Sequence, residues 1–155
     1  MANRETPTST RTATLDDAAE LARLLDSFNG PTVTLQQARK RLAAMQGIET
    51  AVLAEVAGRV VGFASLRIVP FLSEDTPYAE LTEIYVERLY RRQGIGRALV
   101  RHAEAMARER GATALSLLTG LDNGDAQAFY QALGYVDDAL AMRKPLGQPS
   151  LRDQS

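Results

Sequence analysis

Leu81-Thr-Glu-Ile-Tyr-Val-Glu-Arg-Leu-Tyr-Arg-Arg-Gln-Gly-Ile-Gly-Arg-Ala-Leu99 reads as a strand, a basic glycine turn and the start of a helix. Leu81 to Val86 is rich in β-branched and aromatic residues over a length that suits one strand. Beyond the turn, Ile95, Leu99, Ala103, Met106 and Ala107 fall on one helical face. Arg91, Gly94 and Gly96 lie between them. The free N–H groups and positive dipole end of a helix start attract an anion. Glycine lets the backbone approach that anion without a Cβ in the way. Arg88, Arg91, Arg92 and Arg97 add positive charge around the same point. The chemistry this suggests is a diphosphate gripped by main-chain amides. No Gly-Lys-Ser/Thr follows, which excludes a Walker loop, and the third glycine of a dinucleotide fingerprint is missing. Taken alone, Arg91-x-x-Gly94-x-Gly96 also fits a tight connection beside a solvated basic face.

A second block lies about thirty residues further on. Leu121 to Tyr135 carries the pattern Asn-x-x-Ala-x-x-Phe-Tyr-x-x-Leu-Gly-aromatic, in Asn123, Ala126, Phe129, Tyr130, Leu133, Gly134 and Tyr135. With the glycine turn, this block resembles the GNAT superfamily of acetyl-coenzyme A-dependent N-acetyltransferases. The strong match covers roughly Leu81 to Tyr135. The resemblance implies an α/β (α+β) fold. Its sheet would be mixed and mostly antiparallel, with about six to seven strands flanked by helices and a central parallel pair splayed at the acetyl-coenzyme A site. Two departures stand out. Arg88 replaces a proline that many relatives have after the strand valine, and Arg92 replaces a glycine after the motif arginine.

The resemblance also implies a site. Amides from Arg91, Arg92, Gln93, Gly94, Ile95, Gly96 and Arg97 would hold the pyrophosphate. The pantetheine arm would lie along Ile84, Tyr85 and Val86, with Val86 N–H as the oxyanion donor. Asn123, Ala126, Phe129 and Tyr130 complete the cofactor contacts. Tyr130 is the candidate general acid, because a phenol stays protonated near neutral pH; its other reading is a core tyrosine beside Phe129. Asn123 reads equally as a helix cap. Glu83 is the candidate base and equally a charged strand residue at the mouth of a cleft. Strand alternation puts it on the face of Leu81 and Tyr85, opposite Ile84 and Val86. Glu80 and Glu87 are further acids on or beside that strand. Without a cysteine nucleophile, direct attack in a ternary complex is favoured over a ping-pong route.

The chain has 155 residues, which suits one domain with a real core. Hydrophobic residues make up 45% and charged residues 24%, ordinary for a soluble globular protein. A net charge of -1 gives no global argument for nucleic acid or an anionic membrane. There is no cysteine, which excludes disulfides, thiolate metal sites and an acyl-cysteine. The lone His102 stands outside any metal-ligand spacing and reads as a surface or half-buried side chain. No signal region or membrane-spanning apolar run is present, so the expected location is the cytoplasm.

In chain order, residues 1–9 are expected to be a disordered lead-in and 146–155 a flexible tail, around a single domain at 10–145. Thr10 to Ala13 suits a first strand. Thr14 or Asp16 caps a helix through Phe28, ended by Asn29-Gly30-Pro31. Thr34 caps a second helix through Met45, closed by Gly47. Thr50 to Val56 and Val60 to Val69 form a hairpin at Ala57-Gly58-Arg59, and Pro70 to Pro77 a loop. After the helix that starts near Gly94 and ends at Gly111, Ala114 to Thr119 suits a buried parallel strand. A short helix would bury Ala126, Phe129 and Leu133, and Tyr135 to Met142 would return as a strand.

The acceptor that the resemblance implies is a primary amine, on a small molecule or a peptide. Other readings are a longer acyl donor, a protein amine, or a non-catalytic acyl-coenzyme A-binding module. The resemblance allows a homodimer through a C-terminal strand.

Overall fold

The computed structural model describes residues 6–30 and 32–147. The first five residues of the expected lead-in, Pro31 and the expected tail from residue 148 lie outside them. The chain divides into two units, Met1–Leu117 and Leu118–Ser155.

The first unit holds β1 (Ser9–Thr12), α1 (Ala18–Asn29), α2 (Leu35–Met45), β2 (Glu49–Val56), β3 (Arg59–Val69), β4 (Tyr78–Val86), α3 (Ile95–Glu109) and β5 (Leu115–Leu117). They build a five-stranded sheet in the order β1-β2-β3-β4-β5. All neighbours are antiparallel except β4 and β5, which are parallel. Local chemistry explains the boundaries. Thr14 and Asp17 form a capping box on a short 3-10 turn that leads into α1. Thr34 and Gln37 form another on α2. Ala57 and Gly58 both take positive φ, 49° and 78°, the type I′ geometry of a two-residue hairpin turn.

The sheet has two faces. Leu21 and Leu24 of α1 pack with Leu53, Val60, Phe63 and Tyr85 on one. The other face carries Gly62 and Val86, where the Leu99 side chain of α3 lies close. Buried Ile95, Leu99, Val100, Ala103 and Ala107 form the inward stripe of α3.

Three expectations about the sheet need correction. It has five strands, not six to seven, among the described residues. β5 is only three residues long and half-buried, because among the described residues it pairs with β4 alone and the pairing stops at Leu81↔Leu117. Strict alternation also fails in β4. Ser65 faces Glu83 but Leu66 faces Leu81, so Thr82 is an extra residue in a bulge, its hydroxyl donating to Ser65 O at 3.2 Å. Leu81 therefore lies on the α3 face, while Glu83 and Tyr85 share the α1 face.

In the second unit, α4 (Gly124–Ala132) starts at Asn123, whose Oδ1 accepts from Ala126 N at 3.1 Å. Gln127 Nε2 donates to Gly120 O and Leu121 O at 2.7 and 3.0 Å, closing the preceding loop. Gly134, at φ +95°, ends the helix. Tyr130 is the buried residue here; Ala126, Phe129 and Leu133 are half-buried. The strand expected at Tyr135 to Met142 does not form. A strand needs a ladder and a consistent inward face. Asp137 and Asp138 put adjacent charges on both faces, and Val136, Leu140 and Met142 stay at the surface.

Candidate active site

The end of β4 turns through Glu87 into a 3-10 turn, Arg88–Tyr90, with Tyr90 N donating to Glu87 O at 2.8 Å. Arg92 takes φ 60° and Gly94 φ 84°, left-handed values that swing the chain sharply into α3. Glycine suits the second position because it has no Cβ to strain. The start of α3 then differs from those of α2 and α4. Threonine and asparagine side chains cap the latter two, but among the described residues no side chain caps α3. The first bond back into this helix is Ala98 N to Gly94 O, at 3.0 Å. The amides of Ile95 and Gly96 precede it and point out of the helix end.

The loop side chains divide in use. Arg91 Nε donates to Val86 O at 2.9 Å, and its guanidinium lies 5.5 Å from the centre of the Tyr85 ring. Arg91 is thus a strut between loop and strand. Gln93 accepts from the Thr6 hydroxyl at 2.6 Å and donates to Leu89 O at 3.2 Å. Arg88 and Arg92 are exposed and have no ion-pair partner among the described residues.

The β4 backbone offers a second row of amides. Glu87 N donates to Val61 O at 2.8 Å, toward β3. By alternation the Val86 and Ile84 N–H groups point to the opposite edge. Arg91 reaching Val86 O from outside the sheet agrees with that direction. On that edge β5 pairs only with Ala79, Glu80 and Leu81. The two strands thus part company beyond Leu81, and the edge from Thr82 to Val86 is open among the described residues of this unit.

Glu83 sits on the α1 face, across from buried Ser65. Its carboxyl is accessible, yet surrounding protein strips part of its hydration. That desolvation, with the nearby charge of Glu49, pushes its pKa above the usual carboxylate range, against the opposing pull of Arg41. Phe28, at the end of α1, packs its ring on Tyr85 and Phe63 at 5.0 and 5.9 Å. The other two candidate acids are engaged. Glu80 accepts from Arg67 and from the Tyr78 hydroxyl, each at 2.9 Å. Glu87 is ion-paired to Arg23 and Arg59.

Tyr130, Asn123, Ala126 and Phe129 come together in the second unit. The Tyr130 ring lies 5.1 Å from that of Phe129 and 5.8 Å from that of Tyr135. Burial raises its pKa, which keeps the phenol protonated. Asn123 serves as the helix cap.

Gly62 was not among the residues expected to matter. A Cβ there would lie 2.7 Å from Tyr85 O and 3.3 Å from Val86 Cγ2. Only glycine lets β3 come this close to the end of β4. An isolated glycine inside an apolar strand was the available signal.

A family model described as the acetyltransferase (GNAT) family matches residues 17–135. The chain belongs to this family of acetyltransferases. Aminoglycoside N(6')-acetyltransferase type 1 from Klebsiella aerogenes is 41% identical over 102 residues, 62% of this chain and 67% of that protein. An uncharacterized N-acetyltransferase from Chlorobaculum tepidum is 28% identical over 130 residues, 84% of this chain and 76% of the other. Among solved structures, one from Agrobacterium tumefaciens, whose acetyltransferase name is provisional, is 32% identical. It covers 88% of this chain and 99% of its own, with a TM-score of 0.82.

Proposed function

We propose that this protein transfers the acetyl group of acetyl-coenzyme A to a primary amine of a small molecule, by direct attack in a ternary complex. One observation carries this. The uncapped, glycine-led start of α3 stands at the end of β4 whose outer edge β5 leaves open. The first set of amides fits a diphosphate; the second fits the amide-bearing pantetheine arm.

Ile95 and Gly96 N–H groups hold the diphosphate, with Arg88 and Arg92 adding charge around it. When bound, the carrier supplies a thioester carbonyl open to attack and a thiol leaving group. Val86 N–H donates to the carbonyl oxygen as negative charge gathers there. Glu83 takes the proton the amine must lose, directly or through water, and its raised pKa brings it nearer to that task. Tyr130 gives its phenolic proton to the departing sulfur. Arg91 keeps loop and strand together.

The name of the 41% identical relative puts aminoglycosides first among the acceptors to test. We place the reaction in the cytoplasm; among the described residues no helix is long and apolar enough to cross a membrane. We assign a homodimer contact to the segment 135–142, which leaves Val136, Leu140 and Met142 at the surface; light scattering tests it.

The test of function has two arms. Thermal shift with coenzyme A, ATP and NAD should show stabilisation by coenzyme A alone. Free-thiol release from acetyl-coenzyme A should then accelerate with one class in a panel of aminoglycosides, polyamines, amino acids and peptides. Binding without turnover on any amine would favour an acyl-coenzyme A-binding module instead. Turnover only with a peptide or protein amine, or only with a longer acyl donor, would correct the substrate.

A further inference from the structure

Glu87, the last residue before the turn into the glycine loop, is held from three directions. Its N–H donates to Val61 O on β3. Its Oε1 accepts from Arg23 Nη1 of α1. Both carboxylate oxygens accept from Arg59 Nη2, at 3.2 and 3.3 Å, at the hairpin between β2 and β3. The Glu87 side chain is only 13% exposed, so these pairs are better shielded than most surface ion pairs. Arg23 is itself anchored. Its Nη2 donates to Val60 O at 2.6 Å, and its Nε donates to Glu20 Oε2 at 3.1 Å.

The proposed catalytic roles use none of these side chains, yet all of them converge at the mouth of the diphosphate loop. An unpaired carboxylate there would repel an incoming diphosphate. Two guanidiniums cancel its charge and fix its position. The same helix that carries Arg23 also sets Phe28 on Tyr85, so α1 braces the end of β4 at two points, Tyr85 and Glu87.

We propose that Arg23 and Arg59 are positioning residues for the donor site. By gripping Glu87 they hold the start of the glycine loop in register with β4, and so set affinity for the diphosphate of coenzyme A without taking part in the chemistry. This rests on the function proposed above.

The test uses the full chain, calorimetry with coenzyme A, and steady-state kinetics with acetyl-coenzyme A. Arg23→Met and Glu87→Gln should each raise the Kd for coenzyme A and the KM for acetyl-coenzyme A about tenfold, with kcat within about twofold. The double variant should be no worse than the worse single one, because both remove the same contact. Arg23→Lys should recover part of the affinity. If Arg23→Met does not fold, Arg59→Met at the more exposed arm should still raise Kd, by about threefold. Variants that match the wild-type Kd and KM, strictly additive losses, or a fall in kcat at unchanged KM would each overturn the clamp while coenzyme A binding by the wild type stands. A wild type that does not bind coenzyme A overturns the parent function, and the clamp with it.

Discussion

Replacing Gly62 by alanine pushes one methyl group against the strand that presents the Val86 amide. The added Cβ would start 2.7 Å from Tyr85 O, a backbone atom, and 3.4 Å from Leu99 Cδ1. Reaching ordinary contact needs a shift of about 0.7 Å at the end of β4, because the carbonyl cannot rotate away without breaking its ladder. Overpacking of this kind costs about 1–3 kcal/mol. In a chain of this length that lowers the melting temperature by roughly 2–12 °C. The same shift moves the proposed oxyanion donor. A misplacement near 1 Å costs on the order of a hundredfold in rate, so a loss of about tenfold or more in kcat is expected here. Differential scanning calorimetry and thiol-release kinetics read both effects. Unchanged melting and unchanged kcat would refute the close approach. Lower melting with wild-type kcat would leave the packing intact but break its link to catalysis.

Three further outcomes are expected. Glu83→Gln should lower kcat about a hundredfold. Burial raises the Glu83 pKa, so the wild-type rate should climb with pH through a limb above the usual carboxylate range; that limb should vanish in the variant, and a surviving limb would remove Glu83 from its role. Tyr130→Phe should lower kcat about tenfold or more while the Kd for coenzyme A stays within about twofold; full activity would make Tyr130 a packing residue only. Asp17, buried and bonded to Arg11 Nη2 and Nη1 at 2.7 and 2.9 Å, has its pKa lowered first by that pair. The native state therefore binds this proton less readily than the unfolded chain. Its stabilisation is present above the unfolded Asp pKa and is lost as pH falls through the lowered native value. Asp17→Asn should cost about 1–3 kcal/mol at neutral pH and flatten the acid side of a stability–pH curve; an unchanged curve would contradict it.

What could be seen in the sequence was local. Thr34 followed by Gln37, Ala57-Gly58 between two apolar runs, and Gly94 before an amphipathic stripe each specify backbone geometry within a few residues. The structure forms α2, the β2–β3 hairpin and α3 at those places. What could not be seen depends on distant partners. Thr82 looks like one more strand residue, and only the register of β3 shows it as a bulge that puts Leu81 and Glu83 on opposite faces. The Arg23–Glu87 pair joins residues 64 positions apart, with no spacing rule to announce it. Leu115 to Leu117 and Tyr135 to Met142 look alike in propensity, but the first has a neighbour to pair with and the second forms no ladder. Strand propensity is mostly packing against a neighbour, so it misleads where that neighbour is not apparent from the sequence.

The most direct test follows backbone amides by two-dimensional nitrogen–proton NMR while coenzyme A is added to the labelled protein. Saturable shifts centred on Ile95 and Gly96, with Val86 moving in step, are the expected result. Binding that leaves those three resonances in place and moves a different surface would contradict the account, as would the lack of any shift in well-folded protein.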